Sequence, residues 1–472
     1  MWLPLSLSLS LSLPLSLPLS LPHHRSLCCH PHHSRWRASR RHIVLRAACP
    51  RSTSALQREH LSRARLSVSG RYAGRMVGAY QVDRQELAEL LAGEPAFRIR
   101  QVWDGLYRRV QRPAAMTDLP ATLRRQLDAQ LRPQLQLRAE QVADEGDTVK
   151  WLWSLADGAQ VETVLMRYPE RVTACISSQA GCAMGCRFCA TGQAGFGRHL
   201  EVGEIVEQVA RAIAAARPRR LGNVVLMGMG EPLANFDRVW PAVLRMVRDF
   251  GLSARHVTIS TVGIVPGVRR LAASGVPVNL AVSLHAANDT LRDALVPMNR
   301  RYPLAALTEA CADYADATGR RLSFEWALID GVNDRPADAA ELVELARPLG
   351  AHVNLIPLNP TPGFLVRGSP PTVVGSFRRR LGEGGVNATV RSTRGMSIDA
   401  ACGQLAAAQA ARQPRSHLLE RTGKPPWGAG TGPSPARIAR RADSGAAGLR
   451  SGSGRRFVSP ANSDEHHRSS TG

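Results

Sequence analysis

Residues 181–197 read "GCAMGCRFCATGQAGFG" and contain Cys182, Cys186 and Cys189 with the spacing CxxxCxxC. Thiolates at such short intervals can surround one soft metal centre. One candidate is a tetrahedral zinc site that takes Cys175 as its fourth ligand, and the other is a 4Fe-4S cluster that three cysteines bind. The cluster is favoured, because Cys175 belongs to a predicted strand and this region lacks the paired knuckles of a zinc ribbon. A cluster held by three thiols leaves one iron open for an outside ligand.

The 472-residue chain is strongly basic, with 61 Lys and Arg residues against 38 Asp and Glu residues and a formal net charge of +23. The excess lies mainly at the two ends, since residues 1–75 contain twelve arginines and one acidic residue, Glu59. The central part is only mildly basic, which is compatible with an RNA partner but does not require one. The cysteine spacing differs from the disulfide framework of a secreted protein and predicts a reducing, cytoplasmic location.

Both ends of the chain are predicted not to fold. Residues 1–75 begin with the Leu-Ser-Pro repeat "MWLPLSLSLSLSLPLSLPLSLP", which lacks the basic start of a signal peptide and is too polar to cross a membrane. An organelle transit peptide is one interpretation of this leader. A mispredicted start, with Met76 as the true first residue, is the favoured one. Residues 409–472 are rich in Gly, Ser, Pro and Arg and are expected to form a disordered basic tail.

Between these ends the sequence predicts a small helical domain over 76–147 and a larger α/β domain over 148–408. Residues 80–140 have apolar side chains at helical spacing, as in "FRIRQVWDGLYRRV". Their arginine-rich polar faces suit either an RNA-docking module or an ordinary solvated surface. From residue 148 a β-hairpin, turning at Asp157-Gly158, precedes about six alternations of strand and helix. This alternation predicts an α/β fold, a partial (β/α)6 barrel similar to a TIM barrel.

The predicted strands of this barrel end in polar side chains. These are Glu231, Ser260, Ser283 with His285, Asn333 and Asn359. In barrels of this kind the active site lies at the carboxyl ends of the strands. We therefore expect these side chains and the cysteine loop to converge on one face.

The cysteine motif, with Phe188 before its third cysteine, resembles the signature of the radical SAM superfamily. The stretch "GMGEP" at 228–232 resembles the strand-end motif of the same superfamily. This resemblance implies a 4Fe-4S cluster bound by Cys182, Cys186 and Cys189, whose open iron chelates S-adenosyl-L-methionine (SAM). It also implies that an electron from the cluster cleaves SAM to a 5′-deoxyadenosyl radical.

A closer resemblance covers residues 80–408. The stretches "VETV", "CISSQAGC", "VTIST", "SLHA", "NLIPLNP" and "RG…IDAACGQL" resemble the RlmN family of dual-specificity RNA methyltransferases, which methylate carbon 2 of adenine with two SAM molecules. The resemblance implies that Cys402 accepts a methyl group and then tethers the RNA through the derived carbon radical. It further implies that Cys175 resolves this adduct, leaving a disulfide. Glu162 matches the family's proton acceptor, although alone it would be an ordinary polar residue of a hairpin.

The same matching implies a set of SAM contacts. They are Gly230, Glu231, Ser260, Ser283, Leu284, His285 and Asn359. Residues 396–397 are Met-Ser, where many family members carry acidic residues, but the flanking stretches are intact and retained chemistry is expected. Cys311 lies in an apolar helix and is predicted to be a core residue.

The resemblance implies that the substrates are adenine 2503 of 23S rRNA and adenine 37 of certain tRNAs. A base must leave its stack to reach a buried site, so a loop or locally opened helix is expected. We also expect flavodoxin or ferredoxin as electron donor and a monomer that does not bind membranes. Two alternatives remain: the related methyltransferase that acts on carbon 8 of the same rRNA adenine, and a non-catalytic zinc-ribbon RNA-binding protein.

Overall fold

The computed structural model describes residues 76–361, 363–364, 366–391 and 394–405. The predictions for the leader, 1–75, and for the basic tail, 409–472, lie outside these residues. No helix of the described chain is both long and apolar enough to cross a membrane.

The first part of the described chain forms the three helices that the apolar spacing predicts. They are α1 (Arg84–Leu90), α2 (Phe97–Tyr107) and α3 (Ala121–Gln130). A capping box begins α1: the Asp83 carboxylate accepts from the Glu86 N–H at 2.8 Å, and the Glu86 carboxylate accepts from the Asp83 N–H at 2.9 Å. Two short parallel strands, β1 (Val77–Gly78) and β2 (Leu131–Arg132), join the two ends of this segment.

The helical prediction for 80–140 is wrong at its C-terminal end, where β3 (Gln136–Ala143) is a strand. Its sequence, "QLRAEQVA", alternates loosely between apolar and polar residues but is also rich in good helix formers. Pairing decides between the two structures, because β3 runs antiparallel to β4 (Thr148–Ser154), in which every residue is buried. The large sheet therefore begins at residue 136, before the predicted start of the α/β part.

The predicted hairpin is confirmed. β4 pairs antiparallel with β5 (Gln160–Arg167) across the turn at Asp157 and Gly158. Gly158 has a φ of +84°, which glycine adopts without steric cost, and the Asp157 carboxylate accepts from the Ala159 N–H at 3.1 Å.

Nine further strands follow along the chain. They are β6 (Val172–Cys175), β7 (Gln179–Gly181), β8 (Phe196–His199), β9 (Asn223–Leu226), β10 (Val257–Thr261), β11 (Asn279–Ser283), β12 (Ser323–Leu328), β13 (His352–Pro357) and β14 (Ala388–Val390). β7 and β8 form a separate antiparallel pair. The others join β3, β4 and β5 in a ten-stranded sheet with the order β14-β13-β12-β11-β10-β9-β6-β5-β4-β3. Pairing is antiparallel from β3 to β6 and parallel from β6 to β14.

Helices connect the parallel strands. They are α4 (Ala190–Ala194), α5 (Val202–Ala216), α6 (Phe236–Arg248), α7 (Val265–Ala272), α8 (Asp289–Leu295), α9 (Leu304–Thr318), α10 (Pro336–Ala346) and α11 (Pro371–Glu383). Single 3-10 turns occupy Pro113–Ala115, Asp144–Gly146, Pro232–Asn235, Ala254–His256, Pro297–Arg300 and Met396–Ile398. Each parallel strand from β6 to β13 is followed by at least one helix, so the predicted partial (β/α)6 barrel is confirmed. Among the described strands, β3 and β14 each pair on one side only, which leaves the barrel open.

The two faces of the parallel strands differ in chemistry, since successive side chains point to opposite faces. One set is apolar and buried: Val224, Leu226, Ile259, Leu280, Val282, Phe324, Trp326, Val353 and Leu355. The other set includes Ser260, Ser283, Glu325 and Asn354, which line cavities inside the open barrel. The fold therefore concentrates polar side chains on its inner surface.

The N-terminal helices pack against the outside of the barrel near the end of α6. The Trp103 indole donates to the Asp249 carboxylate at 2.9 Å, and the Tyr107 ring centroid lies 5.0 Å from that of Phe250. These contacts fix α2 to the barrel.

Candidate active site

A cavity with about 1090 Å³ of empty space, including its open mouth, lies at the carboxyl ends of the parallel strands. The cysteine loop, the strand ends and the segment around Cys402 border it. Ten of the predicted site residues line this cavity: Cys182, Cys186, Cys189, Gly230, Glu231, Ser260, Ser283, His285, Asn359 and Cys402. The fold thus brings together side chains from distant parts of the barrel sequence.

The backbone of the cysteine loop, between β7 and α4, is held by short contacts. The Cys182 N–H donates to the Gly195 carbonyl at 2.8 Å, and the Cys189 N–H donates to the Cys186 carbonyl at 3.2 Å. Gly181 has a φ of +80°, and a Cβ there would lie 2.1 Å from the Gly195 carbonyl oxygen. Only glycine fits this position, because any side chain would collide with the backbone.

The three loop thiols have the chemistry that a soft, positively charged metal group requires. Burial raises the pKa of Cys182 to about 12 and the pKa of Cys186 well above its usual value. These thiols therefore become thiolates only beside a positive partner, which bound iron would supply. In the described part of the chain, no three Cys, His, Asp or Glu side chains are grouped around a single metal-ion position.

Phe188 connects the cysteine loop to the end of β11. Its ring lies edge-on to the His285 imidazole, with centroids 4.7 Å apart. The His285 Nδ1 accepts from the Ala327 N–H at 3.0 Å, and the residue has a φ of +60°. Burial, and then the positive charge of Arg292, lowers the pKa of His285 to about 3. The ring is therefore neutral with its proton on Nε2, a form suited to hydrogen bonding and orientation.

The "GMGEP" loop after β9 is shaped by a glycine and a buried carboxylate. Gly230 has a φ of +102°, and a Cβ there would lie 2.5 Å from the Gln179 side chain. The Glu231 carboxylate accepts from the N–H of Leu233 at 3.0 Å and from the N–H of Val262 at 2.8 Å. Burial raises the pKa of Glu231 to about 7. Glu231 thus ties the end of β9 to the end of β10.

The ends of β10 and β11 bring hydroxyl groups to the cavity. The Ser260 Oγ donates to the Leu226 carbonyl at 2.9 Å, and Ser283 lines the cavity from the next strand. Leu284 differs from the other predicted SAM contacts, because its side chain is fully buried and lies outside the cavity lining. Its N–H donates to the Glu325 carbonyl at 3.0 Å. The neighbouring residues Ser283 and His285 border the cavity.

Cys402 lies in a segment that is anchored to the cysteine loop and to the end of β13. The Ala190 N–H donates to the Gly403 carbonyl at 2.7 Å, and the Asn359 Nδ2 donates to the Cys402 carbonyl at 3.1 Å. The Cys402 side chain is exposed toward the open cavity. Desolvation by the surrounding protein nevertheless raises the pKa of its thiol.

Cys175 and Glu162 lie on neighbouring strands, outside the cavity lining. Val164 pairs with Cys175 across β5 and β6, so Glu162, two residues before Val164, projects from the same face of the sheet as Cys175. Burial raises the pKa of Cys175 to about 12, and the nearby Cys402 thiol adds to this rise. Both thiols are free. The Lys150 Nζ lies 3.4 Å from the Glu162 Oε1.

Two residues beside Cys402 were not identified from the sequence. The Arg391 Nη2 lies 3.4 Å from the Glu325 Oε1, and the positive charge of Arg391 acts to lower the pKa of the Cys402 thiol. Both Arg391 and Glu325 line the cavity. The sequence contains one indication that Glu325 has a special role, because it is the one charged residue in the strand "SFEWAL".

Lys150 is a third residue that sequence reasoning missed. Its Nζ also donates to the Asp399 carbonyl at 3.2 Å, so it links Glu162 to the Cys402 segment. The sequence also contains an indication for Lys150, since Lys150 and Lys424 are the only lysines in the full sequence. A lysine inside an apolar strand is seldom fully buried without an acidic partner.

Three other predicted residues lie away from the cavity. Asn333 is a structural residue, because its buried Nδ2 donates to the carbonyls of His285 at 2.8 Å and Ala327 at 2.7 Å. Cys311 is buried in α9, as expected of a core residue. Met396 has an exposed side chain.

Comparison with known proteins is consistent with this geometry. Residues 176–343 match the radical SAM superfamily. The chain is 53% identical over 339 residues to a protein of Salinispora tropica named probable dual-specificity RNA methyltransferase RlmN, with 69% of this chain and 91% of that protein covered. A protein of the same name from Thermobifida fusca is 52% identical over 343 residues, with 70% of this chain and 93% of that protein covered.

A solved structure is also similar. The crystal structure of a radical SAM methyltransferase from Sphaerobacter thermophilus has 47% sequence identity and a TM-score of 0.68, with 70% of this chain and 99% of that chain covered. These relatives rule out the alternative of a non-catalytic zinc-ribbon protein. The chain belongs to the RlmN family of dual-specificity RNA methyltransferases and is a SAM-dependent enzyme of the radical SAM superfamily.

Proposed function

We propose that this enzyme methylates carbon 2 of an adenine in 23S rRNA, and of an adenine in certain tRNAs, with Cys402 as the methyl carrier. The observation that carries this proposal is the shared cavity: the three loop cysteines, the polar strand ends and Cys402 all line it.

The residues of the cavity fit the cofactors that the radical SAM family implies. Cys182, Cys186 and Cys189 would bind a 4Fe-4S cluster, and the polar strand ends, with Gly230 and His285 among them, would bind SAM. When bound, these cofactors supply methyl groups and, after reduction, an organic radical that removes a hydrogen atom.

Cys402 would carry the methyl group because carbon 2 of adenine is electrophilic and cannot itself attack a methyl sulfonium. A thiolate can. After the S-methyl group loses a hydrogen atom, its carbon adds to carbon 2 and tethers the RNA to Cys402. The exposure of Cys402 toward the cavity supports this role.

Release of the product would need a base and a second thiol. Glu162 would accept the proton of carbon 2, and the cluster, when bound, would take back the unpaired electron that radical addition leaves on the adduct. Cys175 would then attack the Cys402 sulfur to form a transient disulfide, and its thiol proton would end on the methylene carbon as the methylated RNA leaves. Two observations support these roles. Glu162 and Cys175 project from the same face of the sheet, and the nearby Cys402 thiol adds to the rise in the pKa of Cys175.

The RNA would present an unstacked adenine to the mouth of the cavity. The segment 76–147 would dock the RNA through exposed arginines such as Arg100 and Arg125. A cytoplasmic monomer, reduced by flavodoxin or ferredoxin, completes the proposal.

Anaerobic purification and nucleoside mass spectrometry test the proposal. The protein should contain iron and sulfide, and the Cys402 peptide of a Cys175→Ala variant should carry additional mass from the methyl group. Ribosomal RNA should contain 2-methyladenosine in cells with the gene and none in cells without it. The appearance of 8-methyladenosine would instead favour the related carbon 8 enzyme, and unmodified RNA in both strains would refute methylation.

A further inference from the structure

Arg391 borders the cavity together with Cys402 and Glu325. Its Nη2 lies 3.4 Å from the Glu325 Oε1, and its positive charge acts to lower the pKa of the Cys402 thiol. The three side chains therefore lie together in the wall of the cavity. None of the roles proposed above uses the charge of Arg391 or of Glu325.

The Glu325 carboxylate has one oxygen available. Its Oε1 accepts from the Asn354 Nδ2 at 2.9 Å and faces Arg391. Its Oε2 is buried and has no hydrogen-bond partner among the described residues. Buried carboxylate oxygens are normally paired, so an unpaired one is a ready place for a proton.

Glu325 also has a second route to solvent. With Arg391 it borders a polar cavity of about 820 Å³ of empty space, which Arg320, Arg321 and His352 line as well. A proton taken up by Glu325 can therefore leave through this cavity.

We propose that Glu325 and Arg391 activate the Cys402 thiol for its methylation, with Glu325 accepting the thiol proton and Arg391 pairing with the thiolate. The inference rests on the proposed function in one respect, that Cys402 is the methyl carrier.

The step balances in atoms and in charge. The S–H bond of Cys402 breaks and an O–H bond forms on Glu325, so Arg391 exchanges a carboxylate partner for a thiolate partner while the net charge of the three groups stays zero. As the proton moves, the Cys402 sulfur bonds to the methyl carbon of SAM and the bond from that carbon to the sulfonium sulfur breaks. Because no net charge is created, the buried site avoids the cost of an isolated thiolate.

The surrounding charges agree with this assignment. Desolvation by the surrounding protein raises the pKa of Cys402, the positive charge of Arg391 opposes that rise, and the negative charge of Glu325 adds to it. Burial likewise raises the pKa of Glu325, which makes it a better proton acceptor. Other titratable or charged groups that face these three are Cys175, Cys189, Tyr168, Arg320, Arg321 and His352.

The first test measures the thiol without SAM. The cluster-containing full chain is alkylated anaerobically with iodoacetamide across a pH series, and the labelled Cys402 peptide is quantified by mass spectrometry. Since only the thiolate reacts, the midpoint of the profile reports the pKa of the thiol. Arg391→Met should raise the midpoint by about 1–2 pH units, whereas Glu325→Gln should lower it. The exposed controls Arg379→Met and Glu344→Gln should leave it unchanged.

The second test measures methyl transfer to Cys402 in a single turnover with added SAM. At a pH well below both alkylation midpoints, where Cys402 is a thiol in either protein, Glu325→Gln should slow this step by about 100-fold, the usual contribution of a general base, because the attacking thiol then has no proton acceptor in the site. A variant that methylates Cys402 as fast as the wild type, or faster, would overturn the role of Glu325 as proton acceptor.

Folding and function are separated by further controls. Arg391→Lys keeps the charge and should keep most of the wild-type midpoint, while thermal unfolding and iron content report any loss of structure. In one outcome the wild type receives no methyl group on Cys402, yet the Arg391→Met and Glu325→Gln variants shift the alkylation midpoint of Cys402. The proposed function then fails, while the effect of Arg391 and Glu325 on the Cys402 thiol stands. If methylation occurs and Arg391→Met leaves the midpoint unchanged, the activation by Arg391 is overturned.

Discussion

The Lys150 ammonium lies 3.4 Å from the Glu162 carboxylate, and both side chains are more than nine-tenths buried. The same ammonium contacts the Asp399 carbonyl, three residues before Cys402. This ion pair therefore connects the antiparallel part of the sheet to the segment that carries the proposed methyl carrier. A buried charge without its partner is strongly unfavourable, which makes the pair a sensitive point of the structure.

Lys150→Met should destabilise the protein by about 3 kcal/mol, because it removes one partner of a buried ion pair. The free energy of unfolding can be measured by urea denaturation monitored by circular dichroism. Arg379→Met is a suitable control, since its pair with Glu383 is mostly exposed, and it should cost less than about 1 kcal/mol. Equal losses in the two variants would contradict the importance of burial.

Cys186→Ser should abolish iron binding, whereas Cys175→Ser should retain it. Cys186 belongs to the loop that lines the cavity, and Cys175 lies outside that lining. Iron and sulfide assays after anaerobic reconstitution, together with the visible absorption of the cluster, measure the outcome. Loss of the cluster in Cys175→Ser would show that Cys175 is a ligand.

Gly230→Ala should weaken SAM binding and destabilise the fold by more than about 1 kcal/mol, because its φ is +102° and a Cβ would lie 2.5 Å from Gln179. Equilibrium binding of SAM and thermal unfolding report the two effects. Gly375→Ala is the matched control, since a Cβ at this helical position meets open space. It should be neutral or slightly stabilising, as alanine is in a helix.

The neutral His285 should make the folded state less stable in mild acid. Burial lowers its pKa from 6.5 to about 3, so between these values the unfolded chain binds a proton that the folded chain does not. Stability therefore falls as the pH drops below 6.5. Relative to His285→Gln, the wild-type free energy of unfolding should decrease by about 1 kcal/mol per pH unit from pH 6 to pH 4.

Urea denaturation of the apoprotein across this range measures the difference. The exposed His256→Gln variant, as control, should keep the wild-type slope. Parallel curves for the wild type and His285→Gln would mean that His285 titrates normally in the folded chain.

Local patterns in the sequence predicted most of the secondary structure correctly. The alternation in β4 and β5 and the turn at Gly158 define the hairpin, and the apolar runs define the parallel strands. These features depend on contacts between near neighbours, which periodicity records. Residues 136–140 were predicted wrongly as helical because their sequence suits a helix or a strand, and only pairing with β4 selects the strand.

The sequence by itself determined the spacing of the three loop cysteines, the order of strands and helices, and the polar residues at the strand ends. Tertiary structure alone decided that Arg391 and Glu325 share the cavity with Cys402, that Lys150 pairs with Glu162, and that Asn333 is a structural residue. Spacing along a chain fixes which side chains share a loop or a face. The distance between residues on different strands depends on the curvature and register of the whole sheet, which no local pattern encodes.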